Sequence, residues 1–318
     1  MKHLPLVLGG VVAFLSLLSP TIANGDALVG TGLTVSPITQ YVSAQPGETV
    51  AATIKVSNPT NQAVTAYPLS LDFRSDGITG KPLFYKATSG TSRFTISDWF
   101  KQDQNRLVIP AQQSIEFGYH LHVPTNAEAG DHYAGALFSD NASAANLNSV
   151  LKIDVRSMVG TLIFLRVAGD IQESAQLISF LANKSFSFTP QISLNYQIRD
   201  AGNVHLQPYG EVNVKNWRGQ SVDTQKVNAS QASILPDSSR VFNTEWKGNR
   251  FSFGRYTAEL AAFYGTTNQS LGAELSFWII PLWAILFIIA FILFTILVVR
   301  FRPHIQLKMS SPKSSRRR

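Results

Sequence analysis

An uncharged apolar run from Phe277 to Val299 constrains this 318-residue chain more than any other feature. The run exceeds the roughly 20 residues that an α-helix needs to cross the hydrocarbon core of a bilayer. Residues 300–318 contain Lys and Arg but no Asp or Glu, and such basic segments stay on the cytoplasmic side. We therefore predict a transmembrane helix at 277–299, a basic cytoplasmic tail at 300–318, and an extracellular region before them.

The N-terminus has the three regions of a secretory signal peptide. Met1, Lys2 and His3 precede an apolar stretch, and Pro20 and small residues up to Ala23 follow it. We predict a signal peptide at 1–23; an uncleaved N-terminal helix is the alternative. Both interpretations send the chain across a membrane, so we expect a single-pass protein of the cell membrane with its N-terminal region outside.

Charge and cysteine content exclude several classes of protein. With the tail set aside, the basic residues of the exported region nearly balance the 20 acidic ones. A nucleic-acid partner is therefore not expected, because such a domain carries its positive charge on its folded surface. The chain has no cysteine, which excludes a disulfide framework, a thiol nucleophile and thiolate metal ligands.

Between the ends, apolar residues alternate with polar ones in short runs separated by Gly, Pro, Asn and Asp, which is typical of half-buried strands. Ser114–Val123 and His132–Phe138 are interpreted together as a hairpin. The other predicted strands lie at 49–57, 64–73, 186–198, 210–214, 239–246 and 256–264, with one or two more within 150–167.

These runs predict an all-β fold of two immunoglobulin-like β-sandwich domains followed by one transmembrane α-helix. The first domain is placed at 28–169 and the second at 170–274. Strands and helices do not alternate, which disfavours a doubly wound nucleotide-binding fold.

Several short motifs occur in a specific order. In the first half they are 33–37 (LTVSP), 46–50 (PGETV), 56–59 (VSNP), Trp99-Phe100 and 129–133 (AGDHY); in the second half they are 198–203 (IRDAGN), 208–210 (PYG) and 233–236 (SILP). This order resembles the WxL-interacting protein family of bacterial surfaces. The resemblance implies a peptidoglycan-binding first domain, a second immunoglobulin-like domain, and a membrane anchor. It also implies peptidoglycan, another surface polymer or a surface protein as partner.

Histidines are the first candidates for chemistry. His120 and His122 are two apart on a predicted strand and so share a face, and His132 lies on the strand predicted to return beside it. Three imidazoles in one place can bind zinc or copper, but ordinary strand positions are the preferred interpretation. We expect no metal and no other cofactor.

Catalytic motifs are not found. The carboxylates are scattered singly, whereas glycan cleavage generally requires a pair. The sequence has no Gly-x-Ser-x-Gly elbow and no phosphate-binding loop. We expect a protein that is not an enzyme.

Aromatic residues are the candidates for ligand binding. Tyr85, Trp99 and Phe100 lie in an irregular polar stretch that also contains Phe94, and Trp217 lies in a turn before Arg218. Sugar rings and protein partners both bind to exposed aromatic faces. Packing in the core is the alternative role for all four.

The prediction is a non-enzymatic, membrane-anchored surface protein that acts as a binding, adhesion or scaffolding module for cell-wall polymer or a surface protein partner. One alternative is an accessory subunit of an envelope complex. Another is a membrane-tethered hydrolase.

Overall fold

The computed structural model describes residues 32–87, 93–142 and 158–301. The predicted signal peptide at 1–23 lies outside the described residues, as does the tail from residue 302 onward.

The first sandwich consists of two sheets. One has the strand order β1-β3-β8-β6; the other has the order β2-β10-β9-β4-β5, with β7 paired to β4. The bounds are β1 Thr34–Ser36, β2 Thr39–Ala44, β3 Thr49–Asn58, β4 Val64–Ser75, β5 Pro82–Tyr85, β6 Phe100–Gln102, β7 Leu107–Ile109, β8 Gln113–His122, β9 Gly130–Ser139 and β10 Met158–Val167.

The core of the first sandwich forms where the inward residues of the two sheets meet. Ile54 on β3 lies opposite Phe117 on β8, and both are buried. The Phe117 ring packs edge-on against Phe138 of the other sheet, with centroids 5.1 Å apart. The period-two pattern of β3 and β8 thus covers one face of a sheet with apolar side chains.

Strand β9 is buried along its whole length. It lies between β4 and β10, so both its edges are paired. The predicted hairpin of β8 with β9 is wrong, because β8 pairs with β3 and β6 in the opposite sheet. Residues 123–129 therefore carry the chain from one sheet to the other instead of turning back within one.

The second sandwich pairs a sheet of order β11-β13-β16 with one of order β12-β18-β17-β14-β15. The bounds are β11 Ala175–Ala182, β12 Phe186–Ser187, β13 Gln191–Asp200, β14 Tyr209–Asn216, β15 Ser221–Val227, β16 Ser239–Lys247, β17 Gly254–Tyr264 and β18 Gln269–Ile279. Trp246 lies at the centre of the core of the second sandwich. The centroid of the Trp246 ring lies 4.8 Å from that of Tyr256 and 5.4 Å from that of Phe277.

Helix α1 spans Leu282–Arg300 and has no buried residue. In the described part of the chain it is the one helix long and apolar enough to cross a membrane. Its predicted start at Phe277 is wrong: β18 continues to Ile279, and Phe277 and Ile279 are buried in the second sandwich. A run of apolar residues does not distinguish the end of a buried strand from the start of a membrane helix. The predicted fold class, two immunoglobulin-like sandwiches followed by one helix, is confirmed.

Candidate functional site between the two sandwiches

The two sandwiches are joined through the carboxylate of Asp131, at the start of β9. Arg166 of β10 donates to it from Nε (2.7 Å) and from Nη2 (3.0 Å). From the second sandwich, the backbone N–H of His205 donates to Oδ2 at 2.8 Å, and the His205 ring Nδ1 is bonded to the same oxygen. Burial raises the pKa of Asp131, but the hydrogen bonds from His205 and Arg166 outweigh it and lower the pKa to about 2.

The backbones of the two sandwiches also touch directly beside this carboxylate. The N–H of Asp131 donates to the carbonyl of Asn203 at 2.8 Å, and the Asn203 side-chain amide donates to the carbonyls of Ala129 and Asp170. Gly130 has φ +121°, and a Cβ there would lie 2.4 Å from the Asn203 carbonyl oxygen. Only glycine permits this approach.

A second contact holds the sandwiches together some distance from Asp131. The turn from Asp76 to Gly80, between β4 and β5, lies against the edge strand β16. The N–H of Val241 donates to the Ile78 carbonyl at 2.9 Å, and the Ser239 hydroxyl donates to the Gly77 carbonyl at 3.0 Å.

The Asp76 side chain stabilises that turn from within. Its Oδ1 accepts the backbone N–H groups of Ile78, Thr79 and Gly80, and its Oδ2 accepts the Thr79 hydroxyl. The hydrogen bond from the Thr79 hydroxyl lowers the pKa of Asp76 to about 2. The turn is therefore preorganised against the second sandwich.

A cleft of about 800 Å³ lies between these two contacts and is lined by both sandwiches. Phe73, Phe94 and Tyr133 of the first sandwich and Leu235 of the second form its apolar floor. The three aromatic rings are in contact through Tyr133. The ring centroids of Phe73 and Phe94 lie 5.7 Å and 6.5 Å from the centroid of Tyr133. This size falls within the range of ordinary ligand pockets.

The rim of the cleft is polar. Arg74, Asp76, Asp237, Ser238 and Ser239 all line it. Asp237 accepts a hydrogen bond from Arg93 across the sandwich boundary at 3.3 Å, and both side chains are about half exposed. An apolar floor with a polar rim fits a ligand that presents both an apolar face and hydrogen-bonding groups.

A second depression lies on the other side of the Asp76–Gly80 turn. It is lined by Ile78 and Thr79 and mainly by polar residues of β15 and β16. Tyr196 and Phe242 also line it, with ring centroids 5.4 Å apart, but both belong to the second sandwich. The first cleft has four aromatic side chains and is lined by both sandwiches, so it is the better candidate site.

Asp200, at the end of β13, is fully buried near the joint. Its Oδ1 accepts the N–H of Gly202 at 2.8 Å, whereas its Oδ2 has no hydrogen-bond partner among the described residues. Burial raises the pKa of Asp200 to about 7, and the negative charge of Asp131 adds to the effect. A carboxyl group this deep does not contact a ligand in the cleft.

The four predicted binding residues do not come together. Tyr85, at the end of β5, lines the cleft. Phe100 is buried and stacks on Tyr119 at 4.7 Å, and Trp99 is half-buried with its ring 4.9 Å from His132. Trp217 is 57 % exposed at the far end of the second sandwich, where the Arg218 guanidinium lies 4.6 Å from its ring centroid. Because of these ring contacts, Phe100 is part of the core of the first sandwich and Trp99 packs against that core.

The three predicted histidines do not form one site. His120 and His122 do share a face of β8, with ring centroids 6.4 Å apart, and they contact Asp103 and Thr49 respectively. His132 is buried in the opposite sheet, where its Nε2 contacts the Glu128 carbonyl and burial lowers its pKa. Within the described ranges, no group of three His, Cys, Asp or Glu side chains is placed to hold a metal.

Apart from Phe94, which belongs to the aromatic stretch that the sequence indicates for binding, the residues of the joint and of the cleft floor were not predicted as site residues. A signal for them was present, because three of the motifs that carry the family resemblance meet here: 129–133 contains Gly130, Asp131 and Tyr133, 198–203 ends at Asn203, and 233–236 contains Leu235.

The fold defines a class: two immunoglobulin-like sandwiches that share one cleft, followed by an apolar helix. Among solved structures, the chain is similar to the class 5 fimbriae chaperone CfaA, with 13 % identity over 78 % of this chain and 99 % of that one and a TM-score of 0.38. It is also similar to the SafB chaperone complex with the SafA pilin of Salmonella enterica, with 11 % identity over 78 % and 96 % and a TM-score of 0.33. At these values the likeness adds nothing to the argument about function. No protein-family model and no curated protein matches the sequence.

Proposed function

We propose that this chain is a non-enzymatic, membrane-anchored surface protein that binds cell-wall polymer in the cleft between its two sandwiches. The observation that carries the proposal is the pair of half-buried rings, Tyr85 and Phe94, that line the cleft over the buried Phe73 and Tyr133, beneath a polar rim. The resemblance to the WxL-interacting family supports peptidoglycan as the polymer.

The chemistry of the cleft suits a glycan. Sugar rings have an apolar face that stacks on aromatic side chains, and their hydroxyl and amide groups exchange hydrogen bonds with polar neighbours. Leu83 and Tyr85 are two apart on β5, and Arg74 lies opposite Leu83 on β4, so the three share one face of the ribbon that borders the cleft. Tyr85 and Arg74 therefore offer a ring and a hydrogen-bond donor beside the floor.

The carboxylates at the cleft favour binding over hydrolysis. A glycosidase generally requires one carboxylic acid with a raised pKa and a second carboxylate, both at the scissile bond. Asp76 is engaged by its own turn and has a lowered pKa, and Asp237 is paired with Arg93. Asp200 has a raised pKa but is fully buried.

The anchor is helix α1, with the sandwiches outside the cell and the basic tail in the cytoplasm. Only Ile280 and Pro281 separate β18 from α1, so the second sandwich lies directly at the membrane. The first sandwich and the cleft then lie on the side away from the membrane, where wall polymer is found.

Co-sedimentation with insoluble cell-wall sacculi tests the proposal. The chain in detergent micelles should pellet with the sacculi and should continue to do so as salt is raised. A Tyr85→Ala variant should be retained several-fold less, and a Trp217→Ala variant, which alters an exposed aromatic residue far from the cleft, should be retained as well as wild type. Absence of the wild-type chain from the pellet refutes the proposal.

A surface protein partner is the second candidate function, favoured by the edge strand β11. Its outer edge is unpaired within the described residues, and Ile178 and Leu181 on it are 51 % and 62 % exposed. Edge strands with exposed apolar residues accept a further strand from a partner. An Ile178→Lys variant that loses a protein partner but still pellets with sacculi would separate this function from wall binding.

A further inference from the structure

The end of the second sandwich nearest α1 exposes a set of aromatic side chains. Three loops lie there beside the end of β18: the β11–β13 connection, the β14–β15 turn and the β16–β17 loop. Their exposed aromatic residues, together with that of β18, form what we term the aromatic rim: Phe186, Phe188, Trp217, Phe251, Phe253 and Trp278.

Strand pairing brings these residues to one level. Phe186 on β12 is paired with Trp278 on β18, and Arg255, which follows the β16–β17 loop, is paired with Trp278 from the other side. Trp217 packs close to Gly254, because a Cβ at that glycine would lie 3.4 Å from its ring. The rim is therefore continuous around the end of the sandwich.

The first turn of α1 is attached to the same surface. The indole N–H of Trp283 donates to the Arg250 carbonyl at 3.1 Å, and its ring packs edge-on against Phe253 with centroids 6.2 Å apart. The β16–β17 loop thus lies at the level where the helix begins. If α1 spans the bilayer, this level is the lipid–water interface.

The charges at this end are of one sign. The segments 183–190, 216–220, 247–255 and 278–283 contain no Asp or Glu, and their basic residues are Lys184, Arg218, Lys247, Arg250 and Arg255. Glu245, which is paired with Lys247, lies just beyond these segments. The exported region as a whole is nearly neutral, so the positive charge is concentrated on the side that faces the membrane.

We propose that the aromatic rim is inserted into the headgroup region of the outer leaflet and fixes the orientation of the sandwiches on the membrane. The proposal rests on the proposed anchoring by α1. Trp side chains are favoured at this depth, because the indole ring lies in an apolar environment while its N–H is near water. Phe side chains on such a surface bury apolar area at the boundary of headgroups and acyl chains. Arg218 and Arg250 stack on Trp217 and Phe251, and their charged ends can reach the lipid phosphates while their stems cover the rings.

The absence of native cysteine allows single fluorescent reporters to test this inference. Ser185→Cys places bimane within the rim, and Ser230→Cys places it on an exposed loop at the opposite end of the same sandwich. Each full chain is reconstituted into phosphatidylcholine–phosphatidylglycerol vesicles whose acyl chains carry bromine. The expected result is quenching at 185 that exceeds that at 230 by at least about two-fold.

A Phe188→Ser/Phe251→Ser variant of the 185-labelled chain shows whether the rim causes the insertion, and it leaves the Phe253 contact with Trp283 in place. Both side chains are exposed, so its unfolding temperature in micelles should match that of the parent. Quenching at 185 should fall toward the value at 230; unchanged quenching overturns the proposal. If the chain floats with the vesicles but quenching at 185 and 230 is equal, only the rim is refuted. If the chain does not float with vesicles at all, anchoring by α1 fails and the rim proposal fails with it.

Discussion

Asp131 of the first sandwich and His205 of the second are joined by two hydrogen bonds to one carboxylate oxygen, from the backbone N–H at 2.8 Å and from the ring Nδ1. The Asp131 side chain is 2 % exposed, so this contact is shielded from water. The His205 ring also packs against Phe164, with centroids 5.2 Å apart. This carboxylate therefore joins the two walls of the cleft, together with the Asn203 contact beside it and the Asp76–Gly80 turn against β16.

Replacing this carboxylate should be costly. Asp131→Asn keeps the shape but leaves Arg166 and His205 without their charged partner. Breaking a fully buried pair costs about 3–5 kcal/mol of unfolding free energy, and because Arg166 is 40 % exposed the loss should lie at the low end of that range. Chemical denaturation of the chain in micelles measures the loss. The matched control is Asp237→Asn, which breaks the half-exposed pair with Arg93 and should cost less than about 1 kcal/mol. Equal losses in the two variants would contradict the central role of Asp131.

The buried carboxyl groups of Asp131 and Asp200 should make the unfolding free energy depend on pH in opposite directions. Asp131 has a folded-state pKa of about 2, below its ordinary value of 3.8, so its contribution is present above pH 4 and is lost as pH falls toward 2. Asp200 has a folded-state pKa of about 7, so the folded state binds the extra proton between pH 4 and 7 and loses stability as pH rises through that range.

Asp200→Asn removes the second dependence. As pH rises from 4 to 8, wild type loses the stability that protonated Asp200 contributes, whereas the variant does not. The unfolding free energy of the variant should therefore rise relative to that of wild type, by at most about 4 kcal/mol. Denaturation curves at several pH values measure it. A difference that stays constant with pH would show that Asp200 titrates normally in the folded chain.

Gly130 should tolerate no side chain. A Cβ there would collide with the Asn203 carbonyl, and φ is positive, so Gly130→Ala should cost more than about 3 kcal/mol and separate the sandwiches. Gly219→Ala is the matched control: φ is +77°, but nothing lies within 4 Å of the added Cβ, so backbone strain of about 1 kcal/mol is expected. Small-angle X-ray scattering should show a larger radius of gyration for Gly130→Ala alone.

Among the aromatic residues that the sequence predicts for binding, the effect of substitution on stability should follow the burial of each ring. Phe100→Ala removes a ring stacked in the core and should cost about 3–5 kcal/mol. Trp217→Ala removes an exposed ring and should change the unfolding free energy by no more than about 0.5 kcal/mol. Thermal unfolding in micelles distinguishes them; a comparable loss for Trp217→Ala would show that its ring is packed.

The strands with a clear alternation were predicted well. The expected runs at 49–57, 64–73 and 239–246 correspond to β3, β4 and β16 within one or two residues. Strand β18 was not recognised, because most of its residues are partly exposed and its buried end merges with the apolar helix in the sequence. Local periodicity also does not determine which strands pair, so β8 and β9 were assigned to a hairpin although they lie in opposite sheets.

The cleft could not be predicted from local patterns. Its floor combines Phe73 and Tyr133 from adjacent strands of one sandwich with Leu235 from a loop of the other, and their sequence positions give no sign of this proximity. Tyr85 was identified by its aromatic character alone, and the same criterion also selected Phe100, which is in the core. The motifs at 129–133, 198–203 and 233–236 were visible in the sequence, but only the fold shows that they meet.

Isothermal titration of the chain in micelles with soluble glycan fragments released from sacculi tests the central claim most directly. The account predicts saturable binding to one site per chain, weakened at least about ten-fold in Tyr85→Ala, which removes a stacking ring, and unchanged in Trp217→Ala. Binding of equal strength in all three chains, or no binding to wild type, would contradict the assignment of the cleft as a site for cell-wall polymer.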